Sequence, residues 1–85
     1  MPSQTVTVGS RVGLHARPAA LIAEAVAKSG VPVTLAAGGA PVDGGSALMI
    51  MTLGAKQGAE VTVTSDDEAT LARIADMVAA DLDAE

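Results

Sequence analysis

Gly13-Leu14-His15-Ala16-Arg17-Pro18-Ala19-Ala20 holds the only histidine of the sequence, two residues before an arginine and three before a proline. The alanine-rich run around that proline favours helix. A helix start normally wants Ser, Thr, Asp or Asn at its cap, whose short side-chain oxygen accepts from a first-turn N–H. Here an imidazole occupies the cap region. The patterning on either side is regular, and an isolated departure from a local rule marks a candidate functional site.

Four tasks are open to a lone histidine: core packing, metal ligation, acid–base work or nucleophilic attack. Its place between a glycine-flanked loop and a Pro-containing helix start argues for exposure. Ligation needs partners at suitable spacing, and there is no second His and no Cys. No metal and no cofactor are therefore expected. Acid–base catalysis needs a substrate pocket, which one thin core can hardly supply.

Nucleophilic attack needs less apparatus. A neutral imidazole nitrogen can accept a phosphoryl group if its surroundings hold the phosphate oxygens. Helix N-terminal N–H groups, here those of Ala16 and Arg17, do this together with the positive end of the dipole. The Arg17 guanidinium adds a charged fork. Pro18 is tolerated in the first turn, and by biasing Arg17 away from helical angles it allows a start at Arg17 instead of Ala16. On spacing alone, an exposed histidine without a task fits as well as a phosphoryl acceptor.

The 85 residues are expected to form one domain, residues 1–85. Such a chain buries only roughly 60–65% of its unfolded surface, which leaves no room for a deep cleft. Hydrophobic residues make up 49% and aromatic residues none, so the core must be aliphatic. Base-stacking side chains are missing, and a net charge of −5 opposes phosphate-backbone binding. Nucleic acid is excluded as a partner on these grounds. Absence of cysteine favours a reducing compartment. The first residues lack the basic-then-apolar pattern of a signal peptide, and no run of ~18 apolar residues suggests a membrane span. The expectation is a cytoplasmic protein without membrane insertion. Residues 1–23 contain no acid but carry Arg11 and Arg17, so His15 lies in a locally positive stretch that suits an anion or an acidic partner.

The elements that must position His15 follow from periodicity. Thr5 to Val8 alternates as a half-buried strand, and residues 9–13 form a loop. A helix spans Ala16 to Lys28, with Leu21, Ile22, Ala25 and Val26 on its packed side, and Gly30 suits the left-handed position after it. Val31 to Leu35 reads as a second strand and Pro41 to Asp43 as a short third. Gly44-Gly45-Ser46 caps a short apolar helix from Ala47 to Leu53, and Gly54 stops it. Glu60 to Thr64 alternates again. Ser65-Asp66-Asp67-Glu68 fits a capping box, opening a helix to about Asp83 with Leu71, Ile74, Ala75, Val78 and Leu82 as its stripe. The order β-α-β-β-α-β-α implies an α+β open-faced sandwich: an antiparallel sheet with helices on one face.

Gly13 to Ala19 resembles the phosphorylation motif of the histidine-containing phosphocarrier protein (HPr) family of the phosphoenolpyruvate-dependent sugar phosphotransferase system. The similarity extends to chain length, element order, Ser46 and Met51-Thr52-Leu53-Gly54. It implies that His15 receives phosphate on Nδ1 from phosphorylated Enzyme I and passes it to sugar-specific Enzyme IIA proteins, with Arg17 steadying the phosphate. It also implies a four-stranded sheet of order 1-4-2-3 and a monomeric carrier rather than an enzyme. Many relatives phosphorylate the serine matching Ser46 through a dedicated kinase, reversed by a phosphatase and read by a catabolite regulator. Gly45, where regulated relatives often carry a basic residue, departs from that pattern. Val12 departs too, removing a side-chain hydroxyl or amide that relatives place near the site. Ala20, Ala47, Leu48 and Met51 are the expected docking surface.

Two rival functions use the same fold. One is a regulatory binding module acting through the Ser46 helix on a transcription factor or a metabolic enzyme; the other is a generic interaction domain in which neither His15 nor Ser46 matters.

Overall fold

The computed structural model describes residues 2–9 and 13–80, so the expectations placed on Arg11, Val12, Leu82 and Asp83 lie outside the described residues. In chain order the elements are β1 (Ser3–Thr7), α1 (Ala16–Ser29), β2 (Val33–Ala36), β3 (Val42–Asp43), α2 (Ala47–Thr52), β4 (Glu60–Ser65) and α3 (Glu68–Ala79). The strands form one antiparallel sheet of order β1-β4-β2-β3. This is the α+β open-faced sandwich with three helices that the element order implied.

The period-two pattern decides which side of the sheet is covered. Val61, Val63 and Ser65 of β4 and Val33 and Leu35 of β2 are buried, while Thr62, Thr64, Thr34 and Ala36 between them are half-exposed. On the open side Thr5 of β1 sits opposite Thr62, and their hydroxyls are 3.0 Å apart. The covered side meets Ile22 of α1, Ile50 of α2, and Ile74 and Val78 of α3, all inaccessible to solvent. With no aromatic residue to fill space, branched aliphatic side chains supply the core.

Four local expectations are corrected. The packed stripe of α1 is Ala19, Ile22, Ala23 and Val26; Leu21 is exposed and Ala25 half-buried. Spacing of three, four and seven from Ala19 keeps this stripe on one side of the helix, and Leu21 falls off it. β2 begins at Val33 rather than Val31, because Pro32 offers no N–H to a ladder. Ser65 is not a helix cap. It is a fully buried strand residue opposite Val33, and Asp67 holds the cap position of α3 instead. The Asp67 carboxylate accepts from the Thr70 hydroxyl at 2.5 Å, and Ser65 Oγ accepts from the Asp67 N–H at 3.3 Å. Finally, β1 runs over Ser3–Thr7 rather than Thr5 to Val8. Val8 is buried and bonds to the loop before β4, donating to the Ala59 carbonyl and accepting from the Gly58 N–H, both at 2.9 Å.

Ile74, with no exposed surface and neighbours on both sheet and helices, is a sensitive test of this packing. Ile74→Ala is expected to cost about 2–5 kcal/mol in urea unfolding, whereas Leu48→Ala, at a position 68% exposed, should stay within about 0.5 kcal/mol.

Candidate functional site

His15 is the cap residue of α1, in an extended conformation (φ −83°, ψ −169°), and its side chain makes no capping hydrogen bond. Its carbonyl accepts the first helical bond, from the Ala19 N–H at 2.9 Å. Ala16, Arg17 and Pro18 are then the first three helical residues, so α1 starts at Ala16 despite the bias of Pro18. Pro18 removes the third-position N–H, one of the two donors that a side-chain cap normally satisfies. The imidazole is thus released from the usual work of a cap residue, while the positive end of the helix stays beside it. His15, Ala16, Arg17 and Ala20 are exposed, whereas Pro18, Ala19 and Leu14 are buried and anchor the turn.

What holds this turn in place comes from far along the sequence. The Leu14 N–H donates to the Ala55 carbonyl at 2.9 Å. Gly13 has φ +74°, and a Cβ there would lie 2.4 Å from the Ala55 oxygen and 2.9 Å from Lys56 Cα. Only glycine permits both the left-handed angle and this approach. The second loop is itself closed by the Ala59 N–H donating to the Lys56 carbonyl at 2.9 Å. Together the two segments border an open depression of about 500 Å³, lined by Leu14, His15, Met51, Gly54 and residues 55–57. Among the described residues no carboxylate lines it.

Ser46 occupies the cap of α2, where its Oγ accepts from the Met49 N–H at 3.3 Å. Ile50 is the buried residue of that helix. Leu48 stands 68% exposed; Met49 and Met51 are also exposed, and Ala47 is half-buried. Met51 reaches the depression at His15; Ala20, Leu48 and Ala47 do not line it. Lys56 and Gln57, which no sequence motif singles out, also line the depression with His15. Their proximity to His15 rests on pairing between distant segments, and no local pattern announces it. Among the described residues no cluster of His, Cys, Asp or Glu could hold a metal ion.

An open sandwich with an uncovered imidazole at a helix mouth has the build of a protein that carries a group rather than one that encloses a substrate. The comparisons agree. Residues 2–80 match the family model for the PTS HPr component phosphorylation site. The chain is 45% identical over 87 residues to phosphocarrier protein HPr of Streptomyces coelicolor, covering 98% of this chain and 94% of that protein. Its structure is similar to HPr-C-His from Thermoanaerobacter tengcongensis (TM-score 0.88, 28% identity, 100% and 99% of the two chains). It is likewise similar to phosphocarrier protein HPr from Bacillus anthracis (TM-score 0.85, 29% identity, 91% and 95%). The chain belongs to the HPr family of the phosphotransferase system: it is a phosphocarrier that works through a phosphorylation-site histidine and is not a catalyst in its own right. Its partners are components of that system.

Gly13→Ala tests the strap between the two segments. The added methyl meets backbone on both counts, so a loss upward of about 1 kcal/mol is expected in thermal or urea unfolding, together with a shifted His15 ring signal in proton NMR.

Proposed function

We propose that His15 is the phosphoryl acceptor, taking phosphate on Nδ1 from phosphorylated Enzyme I and passing it to sugar-specific Enzyme IIA proteins. The observation that carries this is the exposed, uncapping imidazole at the start of α1. The Arg17 side chain and the backbone N–H groups of Ala16 and Arg17 hold the phosphate oxygens in this reading. Attack by the ring nitrogen forms the new P–N bond as the donor's bond to phosphorus breaks, and the electron pair leaves with the donor. Positioning and charge compensation are then the main contributions asked of the protein. An open site agrees with the task, since the phosphoryl group must be reachable by donor and acceptor in turn.

Residues 1–85 act as one carrier domain in the cytoplasm, as a monomer, in the same proposal. Ala20, Ala47, Leu48 and Met51 form the docking surface beside His15. Ser46 is a regulatory position: a phosphate on it would add charge at the edge of that apolar surface and oppose docking of an acidic partner. Its cap geometry supports this, because the hydroxyl already accepts from the first-turn Met49 N–H of α2. A purely regulatory module gains no support from an exposed His15.

Incubation with phosphoenolpyruvate and a purified Enzyme I is expected to yield an acid-labile, base-stable phosphoprotein, with phosphorus NMR placing the group on Nδ1. His15→Ala should take up no label; label that persists in this variant rejects His15 as the acceptor. Ser46→Asp, a partial mimic of the phosphoserine charge, is expected to slow the same phosphorylation, and an unchanged rate would count against regulation at Ser46.

A further inference from the structure

Sequence reading assigned one cation, Arg17, to the phosphoryl site, but the fold brings a second one to its edge. Lys56 lines the depression into which His15 opens, on the loop that the Leu14–Ala55 hydrogen bond ties to the helix mouth. We propose that Lys56 is a charge-complementing residue for phosphoryl transfer, meeting the anionic group as it passes between this chain and its partner. The proposal rests on the reading of His15 as acceptor and adds a residue to it.

Three observations support the assignment. Placement comes first: Lys56 Cα is 2.9 Å from where a Cβ on Gly13 would stand, so the root of its side chain is fixed two residues away from His15. Its carbonyl is tied by the Ala59 N–H, so the loop has little freedom to carry it off. The remaining freedom is that of an exposed four-carbon stem, long enough to follow a moving anion.

Charge is the second observation. The chain has five basic residues against ten acidic ones. Lys28 is engaged with Glu24 at 2.8 Å in the last turns of α1, and Arg73 borders a separate groove with Lys28. Of the described basic residues, Arg17 and Lys56 are those next to His15 in the sequence or in the fold. Among the described residues that line the depression, Lys56 is the one Lys, Arg, Asp or Glu.

The third is the chemistry. A phosphoryl group in transit spreads negative charge over its outer oxygens, and a positioned cation lowers the energy of that arrangement. The same cation raises the local potential that draws an anionic donor surface toward an otherwise acidic protein. Both effects act on the encounter and the transfer, so they appear in kcat/KM for transfer and not in the final amount of phosphoprotein.

The test measures transfer from phosphoenolpyruvate through Enzyme I to wild type, Lys56→Arg, Lys56→Gln and Lys56→Glu, at about 20 mM and about 0.5 M salt. At low salt, Lys56→Gln is expected to lower kcat/KM by ~3–10-fold and Lys56→Glu by more, with Lys56→Arg close to wild type. High salt should close most of these gaps, and all four proteins should reach the same final stoichiometry. Equal rates for the four proteins at low salt would overturn the proposal. So would losses that follow side-chain size rather than charge, or that persist unchanged in high salt. His15→Ala runs alongside: if it alone stays unlabelled while the Lys56 series is flat, Lys56 fails and His15 stands. If it is labelled, the acceptor assignment fails, and the Lys56 proposal falls with it.

Discussion

The approach of Gly13 to the Ala55 carbonyl is the contact on which the geometry of the site depends. Helix α1 supplies an imidazole and a positive pole, but a helix end alone does not define a surface. The Leu14 N–H bonded to Ala55 fixes where that end lies against the loop from Gly54 to Ala59. Gly13 makes the contact possible because any other residue would carry its Cβ into the opposing backbone. The loop is anchored in its turn by Val8, whose backbone bonds to Ala59 and Gly58 where β1 ends. The site is thus tied to the edge of the sheet through main-chain bonds, to which Gln57 Nε2 adds a donor to the Gly9 carbonyl at 3.4 Å. Exposed residues there can then vary in charge without disturbing the scaffold.

A carrier faces opposing requirements. The phosphoryl group must be held firmly enough to survive between partners and loosely enough to leave. A buried site with many charged partners would satisfy the first and defeat the second. Here the imidazole stands in solvent, and Arg17 is exposed at the second helical position. Water screens such charges, and contacts between exposed groups contribute only modestly. In the role proposed for His15 and Arg17, a moderate hold follows from where the residues sit.

Much of this architecture was legible in the sequence, and the misses share a cause. Alternation in Glu60 to Thr64, the glycine at position 30 and the serine at position 46 each encode a local conformation through their own chemistry, and the structure places all three as read. The unusual cap at His15 was likewise visible, because a cap rule is local. Ser65 was misread for the complementary reason. Its local pattern fits a capping box, but pairing with Val33 and burial beneath the helices claim it for β4, and the cap passes to Asp67. Leu21 was placed on the packed side by hydrophobicity, whereas the face that α1 buries is set by what it meets, and small residues such as Ala19 and Ala23 let neighbours approach. The loop at Lys56 carries no motif at all. Its meaning comes wholly from a hydrogen bond to a segment far away in sequence.

The docking proposed for helix α2 extends the same economy. Six residues make fewer than two turns, and Ile50 already serves the core. Leu48, Met49 and Met51 remain outward, where they contribute little to folding and add apolar surface to an acidic protein. Such exposure is tolerated when the surface is covered intermittently. In the docking role proposed for this helix, the lack of aromatic anchors is as telling as the apolar residues themselves. Leucine and methionine side chains can rearrange to fit differently shaped surfaces, and methionine in particular is unbranched and polarisable. A protein that must present one histidine first to a donor and then to an acceptor gains from a contact surface that fits each adequately and neither tightly.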